Sequence, residues 1–67
     1  MTITLNGAVE RFGMQESTVR GVLQAKSWSF PLILVTVNGR LVSRADWDVA
    51  PVVDGDVMDA THLMSGG

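Results

Sequence analysis

Two Asn-Gly dipeptides, Asn6-Gly7 and Asn38-Gly39, constrain this chain more than any other feature. Each separates two apolar-rich runs, and Asn-Gly readily adopts the positive φ angles of a two-residue hairpin turn. Before the first, Ile3 and Leu5 alternate with Thr2, Thr4 and Asn6, the period-two mark of a half-buried strand. After it, Ala8 to Phe12 returns as a second strand. Ala8, Glu10 and Phe12 share one face and Val9 and Arg11 the other, an alternation that leaves its core face open. Before the second dipeptide, Leu32 to Val37 is nearly all apolar, as in a central strand covered in part on both faces. Pro31 cannot donate to a sheet ladder, so that strand is expected to begin after it. Arg40-Leu41-Val42 follows as a short return strand.

Between the hairpins, Gly13 to Glu16 reads as a loop. Ser17 or Thr18 can cap a helix whose apolar residues Val19, Val22 and Leu23 recur at spacings of three and four. Gly21 lowers intrinsic helix preference by about 1 kcal/mol, so packing must hold this helix, which is expected to end near Lys26-Ser27. Trp28 to Pro31 is a connection. Ser43 to Val49 reads as a turn or single helical turn, with Ser43 a candidate cap, and Pro51 closes it. Asp54-Gly55-Asp56 is a third turn. Val57 to Met64 is a final strand, with Met58, Ala60 and His62 on one face and Val57, Asp59, Thr61 and Leu63 on the other. A solvent-facing Asp59 directs Met58 and Ala60 to the core. One substantial helix among several strands implies an α+β domain, a mixed sheet of four to five strands with the helix packed on one face. First and last strands lying parallel at the sheet centre would make it a β-grasp fold, and periodicity alone also permits other small α+β topologies.

Sixty-seven residues allow one small domain with a thin core. There is no cysteine, so disulfides and thiolate zinc sites are excluded, and any sulfur chemistry must use an atom other than a cysteine side chain. The single histidine, His62, reads as a surface or sheet residue rather than a metal ligand. A net charge of -2 argues against nucleic-acid binding. No Lys or Arg follows Arg44, whereas Asp46, Asp48, Asp54, Asp56 and Asp59 do. These carboxylates read equally as solvated turn and cap residues or as a surface for a basic partner. The N-terminus lacks the positive region of a signal peptide, and the longest apolar stretch, Phe30 to Val37, is too short for a membrane span. A cytoplasmic location is the expectation.

The ordered series is more specific than its pieces. An opening strand ends in Asn6-Gly7, and Ser17-Thr18-Val19 leads a helix. Val37-Asn38-Gly39 precedes Leu41-Val42, Arg44 stands with Trp47, Asp54-Gly55-Asp56 follows, and Ser65-Gly66-Gly67 ends the series. Over its whole length the chain resembles the bacterial ThiS family of sulfur carriers in thiamine biosynthesis, which are ubiquitin-like β-grasp proteins. Ser43 stands where that family commonly has proline. The molybdopterin-synthase small subunit shares the fold and the diglycine terminus. It is generally longer, and the Asn-Gly, Arg-x-x-Trp and Asp-Gly-Asp series favours the thiamine family.

The resemblance implies a β-grasp domain over residues 1–64 and a flexible tail over 65–67. It also implies that the Gly67 carboxylate is the group that carries sulfur. A carboxylate lacks a leaving group; attack on the α-phosphate of ATP supplies one, and sulfur then displaces AMP to leave a thiocarboxylate. The partners implied are a ThiF-like adenylating enzyme, a thiazole synthase as acceptor, and a sulfur source such as a cysteine desulfurase, with ATP consumed by the activating enzyme. Gly66 and Gly67 lack Cβ atoms and suit a narrow channel, and Ser65 is small enough to follow them. Leu63, Met64 and Asp59 are candidate docking residues. The domain supplies no acid, base or metal and acts as a protein co-substrate rather than an enzyme. A non-covalent ubiquitin-like interaction module, binding through its sheet, is the alternative class. Trp28 and Trp47 read as packing residues, and Asp54 and Asp56 as turn residues.

Overall fold

Both Asn-Gly dipeptides form two-residue hairpins with positive φ at each central residue: 52° and 81° at Asn6 and Gly7, 52° and 80° at Asn38 and Gly39. The computed structural model describes residues 1–28 and 32–62. The first hairpin joins β1 (Thr2–Leu5) to β2 (Ala8–Arg11), with Leu5 opposite Ala8. The second joins β4 (Ile33–Val37) to β5 (Arg40–Val42), with Val37 opposite Arg40. The last strand, β7 (Val57–His62), runs between them, parallel to β1 and antiparallel to β4. The five-stranded sheet therefore has the order β2-β1-β7-β4-β5, with first and last strands side by side at its centre. This is the β-grasp arrangement, and the single α-helix among the described residues covers one face.

That helix, α1 (Val19–Ala25), buries Val19, Val22 and Leu23, the three positions its periodicity selects. They meet Ile3, Leu5, Val35, Met58 and Ala60 from the sheet, together with Trp47 and Val52. Each fully buried aliphatic side chain of this kind contributes about 1.5–3 kcal/mol, enough for a small domain without a covalent staple. Glu10 on β2 and Phe12 just after it turn toward the helix side: Phe12 packs on the core, and Glu10 meets Lys26 Nζ at 3.1 Å. Val9 lies on the opposite face, which settles the orientation of this strand.

Two further strands depart from the expected loop assignments. Glu16, expected in a loop, starts β3 (Glu16–Thr18), which pairs antiparallel with β6 (Pro51–Val53) in a separate two-stranded sheet. Pro51 therefore opens a strand rather than closing a turn. Three-residue strands carry too little alternation to read, and proline is tolerated at a strand's first position.

The purpose of this second layer is visible at the start of α1. Thr18, not Ser17, is the N-cap: its Oγ1 accepts from Gly21 N at 3.1 Å. Val19 N donates to Ala50 O at 3.0 Å and Arg20 N to Trp47 O at 2.9 Å. The first-turn amides, which no helix can satisfy internally, are thus met by one side chain and by the segment after β5. That segment holds a single 3-10 turn at Arg44–Asp46, beginning after Ser43 as expected. Trp47 is buried; its Nε1 donates to Val42 O at 3.3 Å. The guanidinium groups of Arg20 and Arg44 lie over the ring at 5.4 and 5.2 Å from its centroid. The Arg44-x-x-Trp47 pair is therefore a packing and capping device.

Candidate functional site

The segment expected to carry the chemistry follows β7, so the site is built from what holds that strand and what its faces present. The expected strand Val57 to Met64 is described to His62, and Leu63, Met64, Ser65, Gly66 and Gly67 lie outside the described residues, as does Pro31.

Both Asn-Gly turns grip β7, one near each end. Asn38 Oδ1 accepts from Val57 N at 2.9 Å, and Asn38 N donates to Val57 O at 2.6 Å. Asn6 Oδ1 accepts from Ala60 N at 2.7 Å, and Asn6 Nδ2 donates to Ala60 O at 3.2 Å. An asparagine side chain carries the donor and acceptor of a peptide group, so Asn6 satisfies both backbone groups of Ala60. It does so beyond Leu5, opposite Met58, where the β1 ladder ends. These asparagines were legible only as turn residues, because nothing local marks a side chain that reaches a strand 54 positions away, as Asn6 does, or 19, as Asn38 does.

The third turn is held in the same manner. Thr2 N donates to Asp54 Oδ1 at 2.7 Å, Val53 N to Asp56 Oδ2 at 2.9 Å, and Asn38 Nδ2 to Asp56 Oδ1 at 3.0 Å. Asp46 accepts from Ser43 Oγ at 3.1 Å, and Asp48 pairs with Arg20 Nε at 2.9 Å. Four of the five carboxylates after Arg44 are therefore turn, cap or ion-pair residues. Asp59 differs: among the described residues it makes no hydrogen bond or ion pair, and it projects from the sheet face that α1 leaves open.

That open face has a definite arrangement. One cross-strand row runs Val9, Thr4, Val57, and the next runs Leu41, Thr36, Asp59, with Leu34 opposite Thr61 beyond it. Val9 and Leu41 are 70% and 66% exposed, and Leu34 and Val57 each 45%. Apolar side chains interspersed with threonines around one free carboxylate form a surface with the makeup of an interaction face. Leu34 and Leu41 stand in runs read as apolar strands, and the alternation of β7 places Val57 and Asp59 outward. What collects them on one face is the strand order, which periodicity alone left open and the β-grasp resemblance implied. On the other side of β7, His62 is exposed and faces Ile33 in register. With Asn6, Trp28, Ile33 and Ala60 it lines a notch of about 230 Å³. No group of three or more His, Cys, Asp or Glu that could hold a metal ion occurs among the described residues. Nor, among them, is any helix long and apolar enough to cross a membrane.

No curated protein sequence matches the chain. Solved structures do, among them two from Geobacter metallireducens. A crystal structure of the thiamine biosynthesis protein ThiS from Geobacter metallireducens is 29% identical, with a TM-score of 0.88 over 100% of both chains. A solution structure of a thiamine biosynthesis protein from the same organism is also 29% identical, with a TM-score of 0.82 over 100% of this chain and 88% of that one. The sequence profile of the ThiS family matches residues 3–67, and with the β-grasp fold described above, this chain belongs to the ThiS family of sulfur carrier proteins.

Proposed function

We propose that the chain carries sulfur as a thiocarboxylate on Gly67 and delivers it for thiazole formation in thiamine biosynthesis. The observation that carries this reading is the extent of the family match, which runs from the first strand through Ser65, Gly66 and Gly67. The Gly67 carboxylate attacks the α-phosphate of ATP within a ThiF-like enzyme, releasing pyrophosphate and forming an acyl-adenylate. A persulfide sulfur from a cysteine-desulfurase route displaces AMP to give an acyl disulfide, and a thiol reductant cleaves its S–S bond to leave the thiocarboxylate. The resulting thiocarboxylate gives its sulfur to the thiazole synthase and returns as a carboxylate. The catalytic groups belong to those enzymes; the carrier contributes an accessible terminus and an address.

The address is assigned to the open face around Asp59; the docking roles of Leu63 and Met64 and the channel-threading roles of Ser65 and Gly66 belong to the same proposal. Apolar Leu41, Val57 and Val9 supply contact area there, and the carboxylate of Asp59, without a partner among the described residues, selects a basic group on the partner protein. A cytoplasmic location agrees with this reading, because ATP and the implied enzymes are found there.

The test is incubation with ATP, a ThiF-like enzyme and a sulfur donor, followed by intact-mass measurement. The wild-type chain should gain the mass difference between sulfur and oxygen, localised to Gly67. Deletion of Gly67 should abolish the gain while leaving the circular dichroism spectrum unchanged. A chain that stays unmodified by an enzyme active on its own carrier would mark a non-covalent module instead.

A further inference from the structure

We propose that Asn6 is a positioning residue for the terminus: its side chain fixes the direction in which β7 leaves the sheet. This rests on the carrier reading above. The sheet holds β7 unequally along its length. On one side, β4 stays paired from Val37 opposite Met58 to Ile33 opposite His62. On the other, β1 stops at Leu5 opposite Met58 and the chain turns away through Gly7. Past that point the Asn6 amide is the tie on the β1 side among the described residues, bonded to both Ala60 N and Ala60 O. Without it, β7 past Met58 keeps its β4 ladder and loses both of its bonds to the β1 side, which frees it to pivot about that ladder.

Direction matters to a terminus that must enter another protein's active site while the domain docks elsewhere. A segment a few residues long, starting from a fixed strand end, reaches a small volume; from a pivoting end it reaches a larger one and is in the channel less of the time. The loss is one of pre-organisation, so it falls on productive binding rather than on the chemical step. Asn38 provides an internal comparison. It sits in the same kind of turn with the same φ of 52° and also bonds β7, but at Val57, the end where the strand enters.

Asn6→Gly and Asn38→Gly each keep a backbone suited to positive φ and remove only the side chain. Carrier-dependent ATP–pyrophosphate exchange by a ThiF-like enzyme is measured for wild type and both variants, at a temperature where circular dichroism shows all three folded. Asn6→Gly should raise the KM for the carrier by roughly 10-fold with kcat little changed. Asn38→Gly should leave KM at the wild-type value. Asn6→Asp, which retains the acceptor for Ala60 N and loses the donor, should fall between. Amide exchange followed by NMR supplies a second readout, with Ala60 losing protection in Asn6→Gly and Val57 in Asn38→Gly. A wild-type KM in Asn6→Gly, or equal rises in both glycine variants, overturns the positioning role and leaves the carrier reading intact. No exchange with the wild-type chain, from an enzyme that activates its own carrier, overturns both.

Discussion

Ser27→Gly should stabilise this protein, and the reason lies in the geometry that ends α1. Trp28 N donates to Leu23 O and Ser27 N to Gln24 O, both at 2.9 Å, the paired bonds of a Schellman terminus. The residue after the Lys26 cap must then be left-handed, and Ser27 has φ of 59°. An L-residue loses about 1–2 kcal/mol in that conformation. Glycine avoids the steric cost but gives up roughly 0.5–1 kcal/mol more chain entropy on folding. Ser27 is exposed, and no hydrogen bond from its hydroxyl is found among the described residues, so the exchange sacrifices no contact. With both figures at the middle of their ranges the balance is a gain of about 0.7 kcal/mol, which in a domain of this size raises Tm by roughly 3–6 °C. Urea denaturation should show a higher midpoint with an unchanged slope. The same substitution at Asn6 or Asn38 should destabilise, although φ is 52° there, because those side chains hold β7. Equal or lower stability in Ser27→Gly would refute the assignment of strain to this position.

Gly21 offers a coupled test. Alanine there would add about 1 kcal/mol of helix preference, but its Cβ would fall 2.0 Å from Ser17 Oγ and force that hydroxyl to rotate. Gly21→Ala alone should therefore be neutral or destabilising. In a Ser17→Ala background, where the nearest remaining Ser17 atom, Cβ, is 3.5 Å away, it should stabilise. A double-mutant cycle without coupling of at least about 0.5 kcal/mol would reject the steric account. On the open face, Asp59→Lys should change stability by no more than about 0.5 kcal/mol, since the carboxylate has no partner among the described residues. It should nonetheless raise the carrier's KM with the activating enzyme, more strongly at low salt; an unchanged KM would remove Asp59 from the docking surface.

What was legible in the sequence, and what was not, divides by the range of the interaction that carries it. Asn6-Gly7, the spacing of Val19, Val22 and Leu23, and the alternation of Met58 and Ala60 are local signals, and each element they mark stands where expected. The β3–β6 pair escaped because its strands are three residues long and their pairing is set by the need to cap α1, a demand arising from Ala50 and Trp47 across the fold. Family resemblance grouped Arg44 with Trp47 and Asp54 with Asp56 without saying why. In the structure all four are structural: two around a buried indole and two accepting amides in the turn before β7. Asp54 and Asp56 stand as the turn residues they were read to be, which leaves a simpler site than the acidic C-terminal third suggested. It comprises one carboxylate on an apolar face with no partner among the described residues, and one strand tied near its exit by an asparagine from the opposite end of the chain. On the proposed carrier reading, functional residues are those that fix where a terminus points and what it docks against. Such residues look like ordinary turn and strand positions until the strand order places them.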